Sequence, residues 1–453
     1  MRLGKASTLL GIATAWLLGP GTLRAELVGP TYHKDVAPLL QRHCQECHRP
    51  GQVAPFSLLT YEQARKRAAD LVGLTGERRM PPWPASTQVG GPFRDARVLD
   101  DHERATLAAW LEAGCPEGNP KDAPPPREWP SEWPLGQPDL VLSMPESYEL
   151  SAEGRDEIRV FVVPTNLTEG RWLEAVDFKP GNARVVHHIL AAFDTLGRFR
   201  RLDAADPKPG YESFGGFGGG FMIPSGGLGG WAPGKQPQSL PDGIGRYLPA
   251  GSDVLLQVHY HRSGKVEHDQ SKIGLYFAKK PVEKLIRGMA VTPPRPRLQL
   301  RPSLRIPAGD PRYEVTGEVT LGRDAHITEV VPHMHWLGKD FMLEAERPDG
   351  SRATLIRIDQ WDFNWQAAYD FVEPVALPKG TRIHMVAHFD NSAANPANPN
   401  KPPREVRWGE QTTDEMCIGF LQITYDDEHL QGKPPARFLA DPPPATEPKA
   451  PGL

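Results

Sequence analysis

Cysteine is scarce: the 453 residues hold four, at 44, 47, 115 and 417. So few in a chain this long cannot form a disulfide framework, and the folded parts must rest on apolar cores. Long apolar runs are scarcer still. The uncharged stretch from Leu9 to Leu18 is too short to cross a bilayer, and nothing later is apolar for long enough, which excludes a membrane span once that stretch is removed. Neither sign of charge dominates, with 52 Lys and Arg against 56 Asp and Glu. A broad basic surface is therefore excluded, and no nucleic-acid partner is expected.

What is present suggests several small domains, about three at roughly 150 residues each. Arg2 and Lys5, the apolar stretch and small residues up to Arg24-Ala25 have the layout of a secretory signal peptide over 1–25, so a periplasmic or otherwise exported protein is expected. Residues 26–118 read as a small all-helical domain. Val36, Leu39 and Leu40 share a helical face before the first cysteine, and Tyr61 to Leu74 continues the pattern. A further helix opens at Asp100 with Glu103 as its capping partner, carries Leu107, Trp110 and Leu111 on one face, and stops at Gly114. Residues 119–136 form a Pro-rich linker. Beyond it, short alternating runs separated by Gly, Pro and Asp-Gly turns predict two all-β antiparallel sandwiches of jelly-roll type, over 137–285 and 286–432. The Gly-rich segment Phe214 to Gly230 reads as a long loop, and the tail 433–453 as disordered.

Cys44-Gln45-Glu46-Cys47-His48 matches C-x-x-C-H, in which two thiols bond the haem vinyl groups and the next histidine ligates the iron. A zinc half-site would need two more ligands at metal spacing, and a redox dithiol would need a βαβ context; neither lies nearby. The expected sixth ligand is Met80, in Arg79-Met80-Pro81-Pro82-Trp83, because a thioether raises the potential as an electron carrier requires. The segment resembles c-type cytochromes, and one covalently attached haem c is expected.

The other histidines fall in groups. His187 and His188 are adjacent, His259 and His261 are two apart, and so are His333 and His335, all in β-type runs. Residues two apart on a strand share a face, so His333 and His335 can meet one metal. Adjacent residues point oppositely, so His187 and His188 can share a metal only if the strand bends or uses its edge. Imidazole-only sites suit zinc, copper, iron or nickel. Met416 favours copper, since thioethers select Cu(I), although a methionine at the head of an apolar strand also suits a core.

Four stretches, in order, resemble the type II, ascorbate-dependent copper monooxygenases, the family of peptidylglycine alpha-hydroxylating and dopamine beta-monooxygenases. They are Val186-His187-His188-Ile189-Leu190, Leu256-Gln257-Val258-His259-Tyr260, Pro332-His333-Met334-His335-Trp336-Leu337-Gly338-Lys339 and Asp414-Glu415-Met416-Cys417, within Gln137 to Asp427. Trp231-Ala232-Pro233 and Leu240-Pro241 precede the second stretch as the resemblance requires. It implies two copper ions: an electron-transfer ion on His187, His188 and His259, and an oxygen-binding ion on His333, His335 and Met416. It also implies that a C–H bond of a small organic substrate is hydroxylated with O2, with electrons from an external donor, ascorbate or a redox protein. The attached haem offers that donor an entry point. Peptide-amidating members hold a peptide carboxylate with Asn, Tyr and Arg where this chain has Ile418, Phe420 and Val331, so a glycine-extended peptide is not expected. A non-catalytic exported haem and copper electron-transfer or copper-binding protein is the alternative. His261 reads as a surface residue or a partner behind the ligands, and His384 and His388 as structural. Cys417 and Cys115 read as buried thiols.

Overall fold

The computed structural model describes residues 29–129, 132–213, 216–218, 227–295, 303–409 and 411–435. The signal-peptide segment, most of the Gly-rich stretch and nearly all of the tail lie outside them. Strand makes up 35% and helix 13%, in several mainly antiparallel sheets.

Helical segments Tyr32–Val36 and Ala37–His43 run together up to Cys44. Tyr61–Lys66, Ala68–Gly76 and Asp101–Glu112 follow. Asp100 and Glu103 form the expected reciprocal cap, each side chain accepting the other's backbone N–H. The helix ends through Gly114 at φ +79°, a left-handed conformation that glycine adopts without strain. Val36, Leu39, Leu40, Leu58, Leu107 and Trp110 bury together as a core of their own. Each such large apolar side chain contributes about 1.5–3 kcal/mol.

The stretch between the last two of these helices behaves differently. Ala85 and Phe93 are buried in the core of the second sandwich, not among the helices. Ser86 donates its N–H to Arg357 O at 2.7 Å and Arg94 donates to Asp370 O at 2.8 Å. Pro81, Pro82, Pro84 and Pro92 forbid helix here, so the chain runs extended with free backbone groups. It satisfies them on Arg352–Ile358 and Tyr369–Leu377, the edge strands of the two facing sheets.

In the first sandwich one sheet has the spatial order Leu140–Ser143, Lys272–Phe277, Arg171–Lys179, Ile244–Leu248 and Lys284–Leu285. Its last pair is parallel. The facing sheet runs Tyr211–Glu212, Glu157–Pro164, Asp253–Tyr260, Val186–Asp194 and Gly227–Trp231, and Phe161, Leu173, Phe178, Ile189, Leu256 and Ile273 fill the space between. Gly227–Trp231 is thus an edge strand rather than the end of a loop. At Gly230 a Cβ would lie 2.8 Å from Ile189 O, so only glycine permits this approach.

In the second sandwich Tyr313–Thr320, Arg382–Phe389, Gly338–Glu346 and Arg352–Ile358 face Arg287–Val291, Cys417–Tyr425, Ala325–Met334 and Tyr369–Leu377. Along Cys417–Tyr425, Cys417, Leu421 and Ile423 enter the core. Alternation therefore turns Ile418, Phe420 and Gln422 outward, and on Ala325–Met334 it turns Glu329, Val331 and His333 the same way. That face meets the first sandwich. Lys235 donates to Glu329 at 2.8 Å, Gln422 donates to the other Glu329 oxygen at 2.6 Å, and Arg246 donates to Gln422.

Candidate metal centres

Pairing between Val186–Asp194 and Asp253–Tyr260 is broken at one place. Val186 faces Tyr260 and His188 faces His259, so His187 and His188 together oppose one residue. This β-bulge is the bend that adjacent histidines need to serve one metal. Ligand atoms of His187, His188 and His259 all lie within 4.8 Å of one another. His187 Nε2 is 3.2 Å from Asn364 O and His259 Nε2 is 3.1 Å from Asp156 Oδ2. Those oxygens only accept, so each Nε2 carries its hydrogen, which leaves Nδ1 as the nitrogen able to ligate. The Nδ1 atoms of His187 and His188 are 3.2 Å apart. Burial lowers the His187 pKa to about 4 and His188 well below the usual histidine value, which keeps both rings neutral as ligation requires.

His333 and His335 share a face at the end of Ala325–Met334, their rings 5.2 Å apart. Here the engaged nitrogen is the other one. His333 Nδ1 donates to Gln366 Oε1 at 2.6 Å and His335 Nδ1 to Asp414 O at 3.1 Å, which makes Nε2 the lone-pair atom of each neutral ring. Burial lowers the two pKa values to about 4 and about 3. Met334 pairs with Cys417, so Met416 stands one step beyond, on the face of Ile418 and opposite His335. The turn is pinned by Glu415, which is fully buried. Its carboxylate accepts N–H bonds from His335 at 2.8 Å, Leu337 at 2.6 Å and Met416 at 3.2 Å. Burial nevertheless pushes its pKa up to about 8.

One loop of the second sandwich touches both clusters. Trp361 Nε1 donates to His335 O at 3.1 Å, Asn364 O receives His187, and Gln366 holds His333. Between them Phe363 lies parallel to His187 at 6.4 Å, edge-on to His335 at 6.0 Å and against Trp336 at 4.5 Å. The clusters therefore face each other across a buried phenyl ring.

In the helical part, Cys44 and Cys47 are free and half-buried. Burial raises the Cys44 thiol to about 12 and raises Cys47 as well, the opposite of an activated redox pair. His48 Nδ1 donates to Phe56 O at 3.2 Å, which makes Nε2 the lone-pair atom of the neutral ring, while burial lowers its pKa. Met80 follows Ala68–Gly76, half-buried, its N–H donated to Leu74 O.

His261 is exposed, and its Nδ1 lies 3.2 Å from the second oxygen of Asp156, so it is both a surface residue and a partner behind His259. His384 pairs with Glu318 and His388 with Asp340, away from either cluster. Cys417 is buried in the core with Sγ 3.7 Å from Met385 Sδ, and Cys115 is a separate buried thiol. Sequence reasoning missed Asp156, Asn364, Gln366 and Phe363, which join their histidines only in three dimensions. Glu415 had a local signal, a carboxylate directly before Met416 at the head of an apolar strand.

This arrangement defines a mainly β protein with two partly buried imidazole clusters on facing sandwiches, one of them beside the strand that Met416 precedes. The chain is similar to DBH-like monooxygenase protein 1 of Homo sapiens, at 25% identity over 208 residues, 42% of this chain and 32% of that protein. It thus spans about a third of that relative. No family model matches the sequence. Among solved structures, the VP2 subviral particle of infectious bursal disease virus aligns over 64% of this chain and 72% of its own, at 10% identity and a TM-score of 0.19. PNGF-II aligns over 64% and 66%, at 10% identity and 0.24. Scores this low mark no shared fold. Among the described residues no helix is long and apolar enough to cross a membrane.

Proposed function

We propose that this chain is an exported copper-dependent monooxygenase that hydroxylates a C–H bond with O2 and receives its electrons through a covalently bound haem c. The observation that carries the reading is the orientation of the rings. Four of the five histidines have one ring nitrogen committed to an oxygen acceptor, in two clusters with one phenyl ring between them.

When bound, copper at the two clusters supplies one-electron transfer and the activation of dioxygen. His187, His188 and His259 hold the electron-transfer ion, with Asp156 and Asn364 fixing two of the rings. His333, His335 and Met416 hold the ion that meets oxygen, with Gln366, Asp414 and Glu415 fixing the ligands. Phe363 excludes water between them. Val331, Ile418 and Phe420 give the face beside His333 an apolar surface, with Phe420 6.3 Å from the His333 ring. An apolar or aromatic part of a small organic substrate fits there. Cys44 and Cys47 attach the haem, His48 Nε2 and Met80 are its iron ligands, and ascorbate or a redox protein is the external donor.

The test needs no substrate. The exported protein is assayed for copper per chain and for the haem spectrum, reduced anaerobically, and mixed with O2, alongside Met416→Ala. The reading expects two copper ions, one haem, and oxygen consumption that Met416→Ala abolishes while haem content stays unchanged. Equal behaviour of the two proteins would overturn the monooxygenase and leave an electron relay.

A further inference from the structure

Among the described residues, Arg97 is a half-buried cation that forms no ion pair. Its guanidinium contacts are Pro82 O at 3.3 Å, Pro233 O at 3.5 Å and the face of Trp83 at 5.9 Å. Its Nε is fully buried and makes no hydrogen bond. A desolvated guanidinium is costly unless an anion meets it, so the position demands a negative partner that none of these contacts supplies. Its neighbourhood names the partner. Its contact with Pro82, two residues past Met80, and the bond between Gln236 of the Pro233 loop and Glu46 inside the C-x-x-C-H motif place the guanidinium on the side of the haem attachment motif.

The three contacts join three parts of the molecule. Pro82 and Trp83 follow Met80. Trp83 packs edge-on against Tyr369 of the second sandwich at 5.1 Å. Pro233 lies two residues after Trp231, which pairs with Ile189 beside His188. Glycine at 234 makes room, since a Cβ there would overlap the guanidinium. The same loop is held from the haem motif itself, where Gln236 Nε2 donates to Glu46 Oε1 at 3.2 Å.

We propose that Arg97 is the guanidinium partner of a haem propionate and that, by holding Pro82 and Pro233 at the same time, it ties the haem to the loop leading to the His187, His188 and His259 cluster. The inference rests on the haem reading above. Arg97 is then a positioning residue for electron entry, and losing its charge disfavours the ferrous haem.

The experiment compares wild type, Arg97→Gln and Arg97→Lys as full-length, copper-loaded proteins. A pyridine haemochrome spectrum comes first: a wild type without covalent haem overturns the haem reading itself. With haem in place, redox titration of Arg97→Gln is expected to lower the ferrous-to-ferric ratio at fixed potential by about tenfold. Stopped-flow reoxidation of the haem by the copper sites is expected to slow even though the lowered potential raises the driving force, because the tie to the Pro233 loop is lost, with circular dichroism and copper content unchanged. Arg97→Lys keeps the charge but loses the fork, so it restores the potential more than the rate. An unchanged potential in Arg97→Gln overturns the inference while sparing the haem reading. Should that variant not fold, the propionate bending band in resonance Raman spectra decides: a shift between wild type and Arg97→Lys is expected, and identical bands refute the contact.

Discussion

Replacing Glu415 with Gln removes one acceptor while changing almost no volume, which makes it a sharp probe of the turn that follows His335. In the native chain Oε2 accepts from the His335 and Met416 N–H groups and Oε1 accepts from Leu337. A glutamine amide has one oxygen, so at best it keeps the first two and sets its own NH2 against the Leu337 N–H. One buried donor is then orphaned relative to the ionised carboxylate, at a cost of about 1–3 kcal/mol that is felt in full above the Glu415 pKa of about 8. The opposite orientation orphans two and costs more. Because Leu337 closes the turn that follows His335, the loss falls on the second cluster. Partners of this kind, behind the ligands, typically change metal affinity by about 10–100-fold. Glu415→Gln should therefore lower the denaturation midpoint and weaken one copper site by that factor, leaving the His187, His188 and His259 site intact. Equilibrium unfolding and a copper titration followed by electron paramagnetic resonance check both effects. Wild-type stability together with two unaltered copper affinities would refute the assignment of Glu415 as the pin of this turn.

Asp156→Ala should reverse the pattern, weakening the first copper site about 10–100-fold through His259 and sparing the second; the same titration reads it. Phe363→Ala deletes a ring that is 7% exposed. It should cost about 3–5 kcal/mol, measurable by thermal unfolding, and should admit solvent between the clusters. Asp370 is raised to about 6, chiefly by burial and then, against the pull of Lys235, by Glu329 beside it. Native Asp370 thus keeps a proton that the unfolded chain releases near pH 4, so stability falls as pH climbs from about 4 through 6, by about 3 kcal/mol at most. Asp370→Asn should flatten that slope in denaturation curves taken at several pH values. Thiol titration of the native holoprotein should find neither Cys115 nor Cys417 reactive, and both reactive once it is unfolded, because both are buried and free.

Much of this was legible along the chain because the signals are local. The Asp100 and Glu103 cap, the C-x-x-C-H spacing, the period-two alternation that puts His333 and His335 on one face, and the inward turn of Cys417 each need only neighbouring residues. The arm carrying Ala85 and Phe93 was not legible as part of a β core, since prolines reveal only that helix is forbidden and not which sheet edges satisfy the extended backbone. The strand Gly227–Trp231 was hidden for a related reason: glycines look like loop until a neighbouring backbone is seen to require them.

The sequence by itself determined the donor inventory: five imidazoles and one thioether in two sets, a C-x-x-C-H motif, and apolar residues at 331, 418 and 420. Tertiary structure alone decided how those donors are aimed. The bulge at His187 depends on the strand paired with it. The nitrogen each ring offers depends on acceptors far away in the chain, at Asp156, Asn364, Gln366 and Asp414. Ligand identity is a property of one residue, whereas ring orientation is set by hydrogen bonds that exist only once distant strands and loops have packed.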